Sequence, residues 1–462
     1  MLRRFGIALI GVAALAVGGC VTVDEDARDA INALNSGNDV KAVEWSGELA
    51  DKSHYSRNLG AVEAGRVNML AGNYSASEVR FRSAVDSAVD RSEASPKMKA
   101  SDLANTALAS TVTDDRTRQY YLPPYEINLA IEYGIVVQAL NGKVDDALVD
   151  ARLAVYVQDT LAETYGADLA KDGEGGTATT RKVIDEQGKA LEEMIAATRN
   201  SWENPVLWWL TGVLFEADGQ VDMALQSYRK AAAIRPDNAV FKSDSARSEQ
   251  QLALSPGKAK LVIVYEQGFV PRRESLKVLI PLYTGFTIDI PQYPENSFAY
   301  DNVSVSGSSN APVAASPALD VRSLAARDLK EKLPGVIIRN VTRAAVQAGA
   351  QAAVNASGND YAKIGVFAAN LVVSALRRAD TRSWVTLPVA QQVWRDGEMA
   401  PGVYDVAIHV NGRKTVARVP LAAGETRLLW LANTGGTLRG ASAPVGGKGA
   451  APTDLNGKEI NK

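Results

Sequence analysis

The main change in the apolar pattern of this chain falls at Ser255-Pro256-Gly257, and that change limits the fold more than any other feature. Ahead of it, from about Asp24 to Leu254, apolar residues recur at helical spacing between Gly, Asn and Pro breaks. Behind it come runs rich in Val, Ile, Leu and aromatics that read as strands. A chain of 462 residues also exceeds one core, since single cores rarely grow past about 250–300 residues. The reading is a multidomain α+β protein. A helical domain occupies 20–254, a β-rich domain 255–433 with a helical insertion at about 316–378, and a Gly-, Ala-, Ser- and Pro-rich tail over 434–462 is expected to be disordered.

Composition narrows the chemistry. A hydrophobic share of 46% and a charged share of 22% are those of globular protein, which argues against wholesale disorder and a polytopic membrane protein. The formal net charge of -3 gives no basic field for counterion release, so no nucleic-acid partner is expected. The single cysteine permits no intrachain disulfide and no cysteine metal cluster. His54 and His409 stand in different patterns far apart in the chain, so neither a metal site, a histidine-assisted nucleophile nor a bound cofactor is expected.

That cysteine closes a leader. Arg3 and Arg4 form a positive n-region, Phe5 to Val17 an apolar h-region, and Gly18-Gly19 precede Cys20. The run is short for a transmembrane helix, which needs about 20 apolar residues. Residues 1–19 therefore read as a lipoprotein signal peptide, and Val17-Gly18-Gly19-Cys20 resembles the bacterial lipobox. The thiol of Cys20 would carry a diacylglycerol and the new amino terminus an acyl chain, an anchor far firmer than one chain gives. Val21, rather than Asp, follows the cysteine, which by the enteric sorting rule resembles an outer-membrane cargo facing the periplasm.

Within the helical half, Asn204 to Asn238 places Trp208, Gly212, Phe215, Gly219, Ala224, Tyr228, Ala231 and Pro236 at the spacing of a tetratricopeptide repeat. Gly212 and Ala224 are expected to face each other at the closest helix approach, with Trp208, Phe215, Tyr228 and Ala231 packed around them and Pro236 ending the second helix. Leu59–Val89, with Gly65, Gly72, Tyr74, Phe81 and Ala84, reads as a degraded copy. Asn128–Ala154, with Gly134, Gly142, Ala147, Ala151 and Ala154, reads as a third. Stacked hairpins would form a short solenoid whose concave face binds protein, or an array whose groove its own chain fills.

In the C-terminal half, Lys260 to Tyr265, Leu276 to Tyr283, Phe286 to Ile290 and Thr426 to Ala432 read as strands. Val403 to Val410 and Arg413 to Val419 form a hairpin across Asn411-Gly412. Ser316-Pro317 is read as the cap and first-turn proline of a helix reaching about Ala356, with Val321, Ala325, Leu329 and Leu333 on one face and a kink at Pro334. Ile364 to Leu376 would pack against it as a buried core helix. At the following helix-to-strand turn, Asp380 and Arg382 are expected to pair beside Trp384, as a structural staple or a recognition element.

Together with Tyr125, the repeats and the strand near Tyr265, the stretch from Arg377 to Pro388 resembles an uncharacterised family of tetratricopeptide-like lipoproteins of Gram-negative bacteria. The resemblance covers nearly the whole mature chain and implies genes often placed beside lipoproteins that activate peptidoglycan synthases. It supplies no catalytic residues. The expected function is an outer-membrane-anchored scaffold for an envelope protein. The alternatives are a glycan-binding module using Trp384, Trp394 and Trp430, or a carboxylate-based glycan hydrolase, for which the sequence isolates no acid/base pair.

Overall fold

The structure is a computed structural model and describes residues 23–51, 57–89, 119–172, 177–195, 198–280, 286–294, 297–307, 311–356, 379–447 and 449–460. The leader, Cys20, His54 and the segment Ile364 to Leu376 lie outside the described residues. The protein is mixed α+β, with helices in the N-terminal half and sheets in the C-terminal half.

The helices are α1 (Val23–Asn35), α2 (Asp39–Asp51), α3 (Arg57–Leu70), α4 (74–89), α5 (Pro124–Leu140), α6 (Val144–Asp172), α7 (Ala178–Ala190), α8 (Glu192–Ile195), α9 (Pro205–Ala217), α10 (Val221–Ile234), α11 (Ala239–Ser245) and α12 (Glu249–Leu252). Asn204 caps α9, its side chain accepting from the amides of Val206 and Leu207 at 2.9 and 3.0 Å, and Asn238 caps α11 through Phe241 at 2.9 Å. Turns close α3, α5 and α9 through Gly72, Gly142 and Gly219, all in the left-handed region that a side chain disfavours.

The close approach in the α9/α10 hairpin differs in detail from expectation. A Cβ on Gly212 would meet the Tyr228 ring at 2.7 Å, so the ring, not Ala224, fills the space the glycine leaves. Gly65 in α3 does the same for Phe81 in α4, at 2.9 Å, again sixteen residues further on. Trp208, Phe215, Ala224, Tyr228 and Ala231 are all buried, and α10 ends at Ile234, before Pro236.

The strands are β1 (Lys260–Gln267), β2 (Glu274–Ile280), β3 (Phe286–Gln292), β4 (Val303–Ser306), β5 (Val313–Ala314), β6 (Ser316–Asp320), β7 (Ala390–Arg395), β8 (Gly402–Val410), β9 (Arg413–Leu421), β10 (Thr426–Thr434), β11 (Thr437–Gly446) and β12 (Thr453–Asp454). They build a six-stranded sheet in the order β12-β11-β10-β1-β7-β6, a four-stranded sheet β5-β4-β8-β9, and the pair β2-β3. Period-two alternation divides the six-stranded sheet cleanly. Val262, Val264, Leu428, Trp430, Ala441 and Ala443 join the helical core, while Leu261, Ile263, Tyr265, Leu429 and Leu431 pack against Val406, Ile408, Ala417 and Val419 of the four-stranded sheet. The β8–β9 turn is Asn411-Gly412 with both φ positive, as a type I′ turn requires.

Three expectations are corrected. Ser316-Pro317 does not open a helix but lies in β6, where Pro317 sits at an edge beside a register shift. The helix α13 (Val321–Ala356) starts after Asp320, whose Oδ1 accepts from the Ser323 amide at 2.9 Å, and Pro334 lies inside it. The tail from Gly435 is not disordered: β11 pairs along β10, its last six residues are buried, and β12 adds an outer strand. Small residues suit β11 because Gly446 lies directly on Ala217 of α9 and Gly440 on the Trp430 carbonyl. Finally, one apolar core runs from Ala30 to Val445, so the change at Ser255 is a change of secondary structure and not a break in packing.

Candidate functional site

The first helix of each hairpin, α3, α5 and α9, is buried almost all round, because the second helices cover one side and the six-stranded sheet the other. Of the two expectations for the inner face, an open groove or one filled by its own chain, the sheet meets the second. Charged side chains on that face form a buried polar constellation.

Its centre is Arg66 of α3, which pairs with Glu266 of β1 while its guanidinium lies 4.5 Å from the centroid of the Tyr133 ring and 5.5 Å from that of Trp430. Gln391 of β7 donates to Glu266 at 3.0 Å and to Glu132 of α5 at 2.5 Å, and Asn204 donates to Glu132 at 2.7 Å. Burial and the neighbouring Glu266 push the Glu132 carboxyl up to about 8, so it is largely neutral at pH 7.

The Asp380–Trp384 element enters this face directly. Asp380 accepts from the Arg382 guanidinium at 2.7 Å through each oxygen. Next to it the backbone amide of Trp384 donates to Glu126 of α5 at 3.0 Å, and that of Val385 to Glu63 of α3 at 2.7 Å. Thr386 adds its amide, at 3.2 Å, and its hydroxyl to Glu63. Burial nevertheless pushes Glu63 up to about 8, against hydrogen bonds that favour its ionised form. The Trp384 ring packs between Phe81 and Tyr133, with centroids 6.0 and 5.8 Å away. Tyr120 and Tyr125 donate to Glu126, and Arg273 binds Asp328 at 3.2 Å beside them.

A second constellation fastens the C-terminal end of α9. Glu216 accepts from Arg395 of β7 at 2.5 Å, from Lys260 of β1 at 2.7 Å and from Arg247 at 2.7 Å. Burial opposes its charge, but these three cations hold the carboxyl well below its usual range.

Chemically these groups are fasteners. Glu63, Glu126, Glu132 and Glu266 are closed from solvent, each at most 1% exposed, so substrate has no path to them in this conformation. A cleft of about 450 Å³ lies elsewhere, where the α5–α6 turn meets the end of β11, lined by Asp145, Asp146, Asp218 and Lys143; Lys143 is engaged by Glu78 at 2.8 Å. Among the described residues no group of three His, Cys, Asp or Glu is placed to hold a metal ion, and no helix is long and apolar enough to cross a membrane. The tryptophans proposed to stack on sugars, Trp384, Trp394 and Trp430, are at most 3% exposed and belong to the core. His409 stands on the outer side of β8 between Ser304 and Lys414, away from both constellations.

Sequence reasoning isolated Trp384 but missed Glu63, Arg66, Glu126, Glu132 and Glu266. The signal was present: Glu126 and Glu132 are the charged residues in the largely apolar α5, and Glu266 ends the apolar run of β1. A charge there must find a partner on whatever covers that face. The chain matches no known family model, no curated protein and no solved structure.

Proposed function

We propose that the chain is a lipid-anchored scaffold of the bacterial envelope, attached through Cys20 to the periplasmic face of the outer membrane and built on tetratricopeptide-like hairpins without a catalytic centre of its own. The observation that carries this reading is the buried charge on the inner helical faces. The carboxyls there that could serve as an acid or base are engaged within the protein instead, Glu63 and Glu126 by the turn at 384–386 and Glu132 and Glu266 by Gln391 of the sheet. The repeated Gly-to-aromatic contacts, Gly65 with Phe81 and Gly212 with Tyr228, support the repeat assignment. The leader sequence supports the anchor, and the resemblance to lipoproteins encoded beside peptidoglycan-synthase activators supports an envelope protein as partner.

With the inner face filled, contact with that partner falls to the outer helices, where Val79 of α4 and Val149 and Tyr156 of α6 are exposed. A photo-crosslinker at Val149 or Tyr156 in intact cells should trap an envelope protein, and Val149→Arg should abolish the product without changing the melting curve. Cys20→Ser should leave an unlipidated precursor in place of a mature N-terminus carrying acyl chains by mass spectrometry. Retention on sacculi with no protein crosslink at either position would overturn the scaffold reading in favour of a glycan module, and turnover of a glycan by the purified protein would overturn it in favour of an enzyme.

A further inference from the structure

The expected anchor at Cys20 and the first helix stand close together in the chain. Only Val21 and Thr22 separate Cys20 from α1, so the covalent path from the Cys20 Cα to the Cα of Val23 reaches at most about 10 Å. The headgroup zone on one side of a bilayer is about 5–8 Å deep, by difference between the full and hydrocarbon thicknesses. The helix that starts there is part of the body. Ala27, Ala30, Ala33 and Leu34 are buried along its length, and Ala27 packs on Val385. Its far end is fixed by Arg439, which donates to the Leu34 carbonyl at 2.7 Å and to Asp39 at 2.8 Å. Gly435 in the β10–β11 turn lies against Asn35, and Gly436 lies beside Arg413 in the β8–β9 hairpin. A 13-residue helix about 20 Å long thus runs from the anchor to these two turns.

Resting on the anchoring reading, we propose that the protein has no free tether and stands on the lipid surface on the N-terminal end of α1, with the β8–β9 and β10–β11 turns on the side away from the bilayer. The occupant of that end is the headgroup layer, held there by covalent length rather than by a charged patch. Any partner must then approach a body whose height and orientation above the membrane are set.

The test uses the mature lipidated protein, whose Cys20 thiol is taken up by the thioether, so that an introduced cysteine is its sole free thiol. Arg28→Cys, exposed near the start of α1, and Lys414→Cys, exposed at the β8–β9 hairpin, are labelled with a fluorophore in vesicles of phosphatidylethanolamine and phosphatidylglycerol bearing a headgroup nitroxide. Melting curves of both variants should match that of the parent. Quenching should be several-fold stronger at position 28 than at 414, and twenty Gly/Ser residues inserted between Thr22 and Val23 should remove most of it. An unquenched position 28 in protein shown by mass spectrometry to be lipidated overturns this inference alone, as does equal quenching at both positions or quenching indifferent to the spacer. An N-terminus without lipid overturns the anchoring reading and this inference with it.

Discussion

Arg66 and Glu266 form an ion pair across the boundary between the helical and sheet halves, two hundred residues apart in sequence and each at most 1% exposed. A pair so placed is a poor source of net stability, because desolvation offsets its attraction, but removing one partner strands the other. It fixes how the halves meet.

Arg66→Met should therefore destabilise the protein by about 3–5 kcal/mol, leaving Glu266 buried without its cation. Adding Glu266→Leu should recover much of that loss. Urea midpoints of the two single variants and the double variant measure the coupling, and additive losses would show that the residues act independently.

The neutral carboxyls predict a pH dependence. Glu63 and Glu132 have folded values near 8 against an ordinary 4.5, so the stability they contribute is complete below about 4.5 and is lost as pH rises through 8. The melting temperature should fall between pH 5 and pH 9, and Glu132→Gln should flatten that fall. Glu216 works in the other direction, since its lowered value gives stability that is present above the usual carboxylate range and lost on acidification. Calorimetric scans across pH 3–9 should show losses on both sides.

Three helical glycines should respond with opposite signs. Gly212→Ala and Gly65→Ala push a Cβ against the rings of Tyr228 and Phe81, both fully buried, and should cost about 1–3 kcal/mol through overpacking. Gly47→Ala in α2 meets nothing within 4 Å and should stabilise by up to about 1 kcal/mol through helix propensity. Melting curves of the three variants in the full mature chain compare them directly.

Truncation before Gly449 should be severe. The Arg427 guanidinium is buried and donates to the carbonyls of Ala450 and Ala451 at 2.6 and 3.2 Å, besides pairing with Glu425 at 2.5 Å. Losing the tail leaves donors unsatisfied, costing about 1–3 kcal/mol for each group or more where charge is involved. Reduced soluble yield and a lowered melting temperature are expected. A truncated protein that melts like the parent would show the tail to be dispensable.

Local pattern determined a good deal of this protein. Helical spacing with Gly and Pro breaks marked the hairpins, Asn411-Gly412 marked the β8–β9 turn, and Val321, Ala325, Leu329 and Leu333 marked the buried face of α13, because each signal acts over a few residues. What covers each face is a choice between distant segments, and only the tertiary structure made it. Nothing near Glu63 announces that the amides of Val385 and Thr386, more than 300 residues away, will be its partners. β11 was illegible for a related reason: a strand made largely of Gly, Ala, Ser and Pro has little apolar signature, and it is ordered by backbone pairing to β10 and by contacts with α9 that only small residues permit. The sequence specified which residues needed burial and where helix gives way to strand, while long-range pairing of backbone and charge decided which distant segment covers each face.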